Sequence, residues 1–229
     1  CGLIGKNAAV EVDGNAYWMS ENGFFRYTGK LESLACLVED YVYDDINTVP
    51  KNHIYAGLNN LFGEVTWFYP GSGAASNNRS VTYNYMDSTV ERPIWTTSSL
   101  SRSTWSDSHI FGKPHATEYD SSATSDETVG NTDGVTTYYE HETGSNQIKA
   151  GATTAIAASI QSGDFDLDQR GLAGDGEFMM KIRRVIPDFL SQTGDARVTL
   201  NLKNYPTDSE TSSSLGPFTT TTSTTKIDT

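Results

Sequence analysis

The feature that most limits what this chain can fold into is a series of short aromatic runs, each closed by a tight-turn signal. Ala16-Tyr17-Trp18-Met19-Ser20 leads into Glu21-Asn22-Gly23, and Phe24-Phe25-Arg26-Tyr27-Thr28-Gly29 leads away. Asn-Gly and Asp-Gly between β-prone runs are strong hairpin signals, because these residues accept the positive φ that a tight turn requires. Comparable runs return at Glu64-Val65-Thr66-Trp67-Phe68-Tyr69-Pro70, at Val81-Thr82-Tyr83-Asn84-Tyr85 and at Val135-Thr136-Thr137-Tyr138-Tyr139-Glu140. Short strands closed off in this way, although irregularly spaced, favour small antiparallel sheets that stack through aromatic faces. The expected fold is therefore mainly β, with propeller-like blades or a sandwich.

Composition bears on what such sheets can do. Hydrophobic residues make up 36% and aromatics 11% of the 229 residues, so the core must lean on Tyr, Trp and Phe. The net charge is -13. That excludes a general nucleic-acid binder, which needs a basic footprint. It suits a duct through which DNA passes, because a negative wall repels phosphate. No apolar run reaches the ~20 residues needed to span a bilayer, and no leader-like segment opens the chain, so no membrane partner is expected. Cys1 and Cys36 form no CxxC pair, and two free buried thiols are expected rather than a bridge. The abrupt start at Cys1 and the Thr-rich end at Thr219 to Thr225 lead us to expect a segment of a longer chain.

Along the chain, Ala8 to Val12, the turn Asp13-Gly14 and the strand from Asn15 read as the first hairpin. Leu34, Leu37, Val38, Tyr41 and Val42 recur at helical spacing and predict one short amphipathic helix over 33–46, with Ser33 as N-cap. A second hairpin is expected from 53 to 70. The polar stretch 70–79 reads as an exposed tip and the acidic stretch 119–134 as a mobile loop. Trp95 and Trp105 are expected as core anchors. Alternation of Ile156, Ala158 and Ile160 predicts a strand over Thr153 to Ile160, and Phe178 to Ile186 and Val198 to Leu202 read as further strands. The texture changes near residue 148, so blades are expected at 1–148 and a further β, sandwich-like part at 149–229.

No chemical motif rises above its structural reading. Asp164-Phe165-Asp166-Leu167-Asp168 places carboxylates at alternate positions, as a calcium loop does. Gln169 then stands where that loop needs Gly, and Asp175 where it needs Glu. An acidic edge strand explains it better. His53, His109, His115 and His141 are scattered, although His141 lies between Glu140 and Glu142, which could tune it as a base. Gly71-Ser72-Gly73 and Gly174-Asp175-Gly176 are not phosphate loops, and no G-x-S-x-G elbow occurs. Lys181-Ile182-Arg183-Arg184 is the one dense basic site; it reads as the charged face of a strand, paired with the acidic 164–177 segment. The acidic run Glu39, Asp40, Asp44 and Asp45 reads as a solvated face. Asn78-Arg79-Ser80 fits a glycosylation acceptor but has no secretory context. No catalytic residue, cofactor or metal is expected.

Several segments, taken together, resemble one family. They are Cys1-Gly2-Leu3-Ile4-Gly5-Lys6-Asn7-Ala8-Ala9 with Val12-Asp13-Gly14 and Tyr17-Trp18-Met19, then Asp40-Tyr41-Val42-Tyr43-Asp44-Asp45-Ile46-Asn47. Tyr83-Asn84-Tyr85, Tyr139-Glu140-His141-Glu142, Asp164-Phe165-Asp166 and Arg183-Arg184-Val185-Ile186-Pro187-Asp188 extend the likeness in order. They resemble the tail nozzle, or tail tubular protein B, of short-tailed bacteriophages and its relative the packaged-DNA stabilisation protein. The resemblance implies a propeller-containing virion protein of the phage tail. It would form a homo-oligomeric ring of about six copies, contact tail adaptor and tail fibre or tip proteins, and let genomic DNA pass without sequence-specific binding. It implies no catalytic residues. Two other readings come from the residues themselves: a receptor- or glycan-binding tail module, and a propeller hydrolase. The hydrolase would need two carboxylates ~5–10 Å apart, for which Glu140, Glu142 and Asp133 are the loosely grouped candidates.

Overall fold

The computed structural model describes residues 2–107, 110–120, 134–149, 151–163, 180–205 and 213–228. The protein is mainly β; its described residues form several small antiparallel sheets and one short α-helix. It divides into two compact units, Cys1–Ala155 and Ile156–Thr229.

The first unit opens with a four-stranded meander in chain order: β1 (Ala9–Val12), β2 (Asn15–Ser20), β3 (Gly23–Tyr27) and β4 (Leu31–Leu34). Asp13 (φ 52°) and Gly14 (φ 78°) make the first turn with the two left-handed residues that the Asp-Gly pair announces. The opening hairpin forms in the register its turn dictates, with Trp18 opposite Phe25 and Met19 opposite Phe24. Strand alternation then splits its aromatics. Tyr17, Met19 and Phe24 are buried in the core, whereas Trp18 and Phe25 stack on the other face, 5.8 Å apart and only half-buried.

The helix is shorter than its spacing predicts. Ser33 and Leu34 belong to β4, where Phe25 and Phe24 are their partners, and α1 covers only Glu39–Asp45. Pairing with β3 satisfies this backbone before a helix can claim it. Val38, not Ser33, occupies the N-cap, and it makes no side-chain cap. Val42 is buried, and Tyr43 reaches back so that its Oη lies 2.8 Å from the Ser20 carbonyl and 3.0 Å from that of Gly23. The helix thus fastens the turn between β2 and β3.

A 3-10 turn at Lys51–His53 leads into a second four-stranded meander. It consists of β5 (Tyr55–Asn59), β6 (Glu64–Tyr69), β7 (Arg79–Asn84) and β8 (Trp95–Ser98), again in chain order. The β6 strand is buried on both faces. Val65, Trp67 and Tyr69 join the core shared with the first meander, where Trp67 lies 4.9 Å from Phe24. Phe68 faces the other way and meets Trp105 at 5.4 Å. Trp67 Nε1 donates to the Ala8 carbonyl and Trp95 Nε1 to that of Ala35, so both indoles satisfy their one donor while packing.

The third sheet has three strands, β9 (Thr104–Ser106), β10 (His115–Asp120) and β11 (Val135–Glu140), followed by the hairpin of β12 (Asn146–Lys149) and β13 (Ala152–Ala155). The first strands of the three sheets adjoin. β1 packs against β5 and β5 against β9, and the Ala56 amide donates to the Asn7 carbonyl at 2.8 Å. Stretch 70–79, expected as an exposed tip, is tied at both ends. Pro70, Gly71 and Asn77 are buried, the Gly71 amide donates to Asn78 Oδ1, and only Ser72, Gly73 and Ala75 are fully on the surface. Of the expected 119–134 loop, Tyr119 and Asp120 belong to β10, and residues 121–133 lie outside the described residues.

Among its described residues the second unit contains two small ladders. β14 (Arg184–Val185) pairs with β17 (Ile227–Asp228), and β15 (Ala196–Leu202) pairs with β16 (Ser213–Thr220). The expected strand over Thr153 to Ile160 is confined to Ala155 and earlier, because β12 offers no partner beyond it. The expected strand over Phe178 to Ile186 reduces to Arg184–Val185, with Phe178 outside the described residues. Among the described residues, no helix is long and apolar enough to cross a membrane.

Candidate functional site

The most concentrated set of charged and aromatic side chains lies on the inner face of the third sheet. Register places Trp105, Ala116 and Tyr139 side by side across β9, β10 and β11, and Glu118 follows on the same face of β10. Arg102, just ahead of β9, enters this layer with 4% exposure. Its guanidinium carbon sits 4.1 Å over the Tyr139 ring, a cation–π contact. Its Nε donates to His141 Nε2 at 2.9 Å, its Nη1 donates to the Ser101 carbonyl at 2.6 Å, and the same Nη1 is 3.8 Å from Glu118 Oε2. Glu118 is shared further: Tyr139 Oη donates to Oε2 at 2.8 Å and Lys149 Nζ to Oε1 at 3.1 Å.

Electrostatics follow from burial. Loss of water lowers the Arg102 pKa, against the pull of Glu118 and Tyr139, but guanidinium starts high enough to stay charged. Burial, then the Arg102 charge and then His115, hold His141 down at about 4. At neutral pH His141 is therefore uncharged, and its Nε2 lone pair is committed to Arg102. Burial and the Glu118 bond raise the Tyr139 hydroxyl. At Lys149 burial works against the charge, but the Glu118 bond and charge outweigh it and raise the pKa. Every group of this layer that could act as base or nucleophile is engaged by another. The arrangement acts as a clamp rather than an acid–base pair.

The clamp reaches the second meander. Trp105 Nε1 donates to the Leu58 carbonyl at 2.7 Å, its ring meets that of His141 at a tilt with centroids 4.5 Å apart, and Tyr55 Oη donates to the Trp105 carbonyl. A Cβ on Gly57 would stand 2.6 Å from Trp105 Cγ, so the glycine is what lets β9 approach β5 this closely. Asn77 Nδ2 donates to both the Arg102 and His53 carbonyls.

The residues singled out by sequence fare unevenly. His141 is central, but its flanking carboxylates do not tune it. Glu140 faces outward, 3.9 Å from Lys113, and Glu142, at φ 58°, accepts from Asn59 Nδ2 at 3.0 Å. Glu142 and burial together raise the Glu64 pKa, with burial the larger cause. Asp133, His109 and the Asp164–Asp168 run lie outside the described residues. Among the described residues, no group of three or more His, Cys, Asp or Glu is placed to hold a metal. Arg184 Nε pairs with Asp228 Oδ1 at 2.6 Å across β14 and β17, and the 164–177 segment expected to face it lies outside the described residues. Asp45 is bound by Arg79 at 3.2 Å rather than simply solvated. Cys36 is a free, half-buried thiol, pushed up to about 12 mainly by burial. Sequence reasoning missed Arg102 and Glu118. The available signal was a carboxylate on the strand face that also carries Ala116.

No protein-family model matches this chain, and no curated protein matches it.

Proposed function

We propose that this chain is a structural subunit of a short bacteriophage tail, a nozzle-type protein that assembles into a ring around the DNA channel. One observation carries the reading. Four of the segments that resemble the nozzle family, those around Ile4–Ala9, Tyr17–Met19, Tyr41–Ile46 and Tyr83–Tyr85, meet in a single core. The Ile4 amide donates to the Met19 carbonyl and the Met19 amide to that of Ala8, Tyr17 lies 6.3 Å from Tyr83 and 6.0 Å from Tyr85, and Val42 is buried in the same cluster. Residues distant in sequence, drawn from segments that resemble the family, thus serve one packing task. Three successive meanders with adjoining first strands are what an arc of propeller blades requires. A net charge of -13 suits a wall past which DNA slides. The clamp around Arg102 fits a protein whose task is to hold shape.

The test is assembly. Purified chain studied by mass photometry and negative-stain microscopy is expected to give closed rings of about six copies. Purely monomeric protein that also fails to join a purified portal–adaptor complex would refute it.

A second reading, a glycan-binding tail module, draws on the outer face of the third sheet. There His115 and Tyr138 are stacked 5.4 Å apart and hydrogen-bonded, Phe111 meets His115 edge-on at 4.8 Å, and both Tyr138 and Phe111 are exposed. Retention on a glycan array that Tyr138→Ala abolishes would favour it.

A further inference from the structure

We propose that the edge of β11 (Val135–Glu140) is where two copies of this chain pair, antiparallel and about a two-fold axis at Thr137. The inference stands apart from the tail-ring reading, because it rests on one strand edge of the third sheet.

The first argument is what the third sheet lacks. The first two meanders have four strands each, and among the described residues the third sheet has three. In both meanders the fourth strand sets a large apolar side chain opposite a buried aromatic of the third strand. Leu34 stands opposite Phe24, and Trp95 opposite Tyr83. On β11, the third strand of its sheet, Tyr139 holds that place at 8% exposure. Among the described strands, none stands opposite it on the side away from β10.

The second argument is the backbone of that edge. Residues of an antiparallel strand alternate between bonding to their neighbour and facing away from it. The His141 amide donates to the Pro114 carbonyl, in register with the β10–β11 ladder. Val135, Thr137 and Tyr139 therefore bond to β10, and the N–H and C=O groups of Thr136, Tyr138 and Glu140 point to the open side. Sheet edges are commonly blunted by short length, charge or a bulge. The outer strands β4 and β8 have four residues each, whereas β11 has six, all paired to β10 without a shift of register. Its one charge, Glu140, stands at its end.

The third argument names the occupant, because the strand complements itself. With Thr136 opposite Tyr138 of the second copy, both offer their outward backbone groups. Val135 then comes opposite Tyr139, and Thr137 opposite Thr137 on the axis. The apolar side chain missing opposite Tyr139 is thus Val135 of the second copy, on the same face by strand alternation. Aromatic with β-branched and Thr with Thr are favourable cross-strand pairs. Glu140 of each copy lies beyond Val135 of the other, so the two carboxylates do not meet. The next register, with Tyr138 opposite Tyr138, would set Thr137 rather than Val135 against Tyr139. Such a contact joins identical surfaces, is isologous, and closes at two copies.

The experiment uses the full 229-residue chain. Analytical ultracentrifugation is expected to show a concentration-dependent dimer. Thr136→Pro removes a donor that points away from β10, so it should spare the sheet's own ladder. It should weaken the dimer roughly 10–30-fold, since each pair loses two ladder bonds. Circular dichroism and the tryptophan-fluorescence melt check that the variant stays folded. Register is read with single cysteines under a mild thiol oxidant, with Cys1 and Cys36 replaced by Ser. Facing residues whose backbones do not bond each other stand ~4.5 Å apart at Cα, within disulfide reach. T137C should therefore cross-link between copies, and T136C, two residues out of register with itself, should not. A chain monomeric at every concentration, or T137C cross-linking no faster than T136C, would overturn the pairing. So would a monomer on which an added extended peptide protects the Thr136, Tyr138 and Glu140 amides from exchange, since a foreign strand would then fill the edge. Rings of about six copies with no T137C cross-link would sink the pairing and leave the tail-ring reading standing. Dimers alone, cross-linked through T137C, would uphold the pairing and refute the ring.

Discussion

Replacing Gly57 by Ala tests whether close approach of β9 to β5 holds the third sheet in place. The new Cβ would stand 2.6 Å from Trp105 Cγ and 2.7 Å from Cδ1. Ordinary carbon contacts lie at ~3.5–4.0 Å, so the indole must retreat by about 1 Å. Retreat from there strains the 2.7 Å bond from Trp105 Nε1 to the Leu58 carbonyl, for which the usual net value is about 1 kcal/mol. It also loosens the tilted ring contacts with Phe68 and His141, where an aromatic contact adds ~0.5–1.5 kcal/mol beyond area. Against this, Ala in place of Gly within a strand gains roughly 0.5–1 kcal/mol from reduced chain freedom. The net expectation is a loss of about 1–2 kcal/mol, within the range for an overpacked site. For a unit of this size that is a fall of roughly 2–8 °C in Tm, read by tryptophan fluorescence or near-ultraviolet dichroism. The control is the Trp105→Ala background, where Gly57→Ala should be neutral or stabilising because nothing remains to clash. Equal effects in both backgrounds, or a wild-type background that gains stability, would refute the close-approach argument.

Three further outcomes are expected. His141 has its pKa depressed in the folded chain, so the unfolded chain binds the extra proton first; its contribution is complete above its ordinary value near ~6.5 and is lost as pH falls toward about 4. Urea midpoints across that window should therefore drop less in His141→Gln than in wild type, and parallel curves would count against it. Arg102→Met strips Glu118 of a buried cation and should cost about 3 kcal/mol, part of which Glu118→Gln restores; in the single variant the His141 titration followed by NMR should also move upward. Tyr43→Phe removes the hydroxyl that serves the Ser20 and Gly23 carbonyls and should cost about 1 kcal/mol, with faster amide exchange at the Glu21-Asn22-Gly23 turn as its local sign.

How much could be read beforehand divides by range. The hairpin at Tyr17 to Tyr27 was legible because its register is set by residues that adjoin in sequence, and the Asp13-Gly14 turn for the same reason. Helical spacing over 33–46 misled at its start, since Ser33 and Leu34 answer to Phe25 and Phe24 across the sheet. A local pattern competes poorly with a ladder that satisfies whole backbone groups. Stretch 70–79 reads as polar, yet Asn77 is buried because its amide bridges carbonyls of His53 and Arg102, some 24 and 25 residues away. The clamp was least legible of all. Arg102 meets Glu118, Tyr139 and His141 only after three strands have found their register, and no short spacing announces that.

The adjoining first strands also bear on how the chain reaches its fold. In each of the first two meanders the strands pair in chain order, so most backbone partners are sequence neighbours. Between sheets, strand-on-strand contact runs chiefly from β1 to β5 and from β5 to β9, with aromatic packing such as Phe24 on Trp67 added to it. A growing polypeptide can therefore complete one meander before the next emerges, and each finished sheet offers a template face to its successor. Folding by accretion confines slow, non-local closure to a few junctions, and Gly57 with Trp105 is one of them.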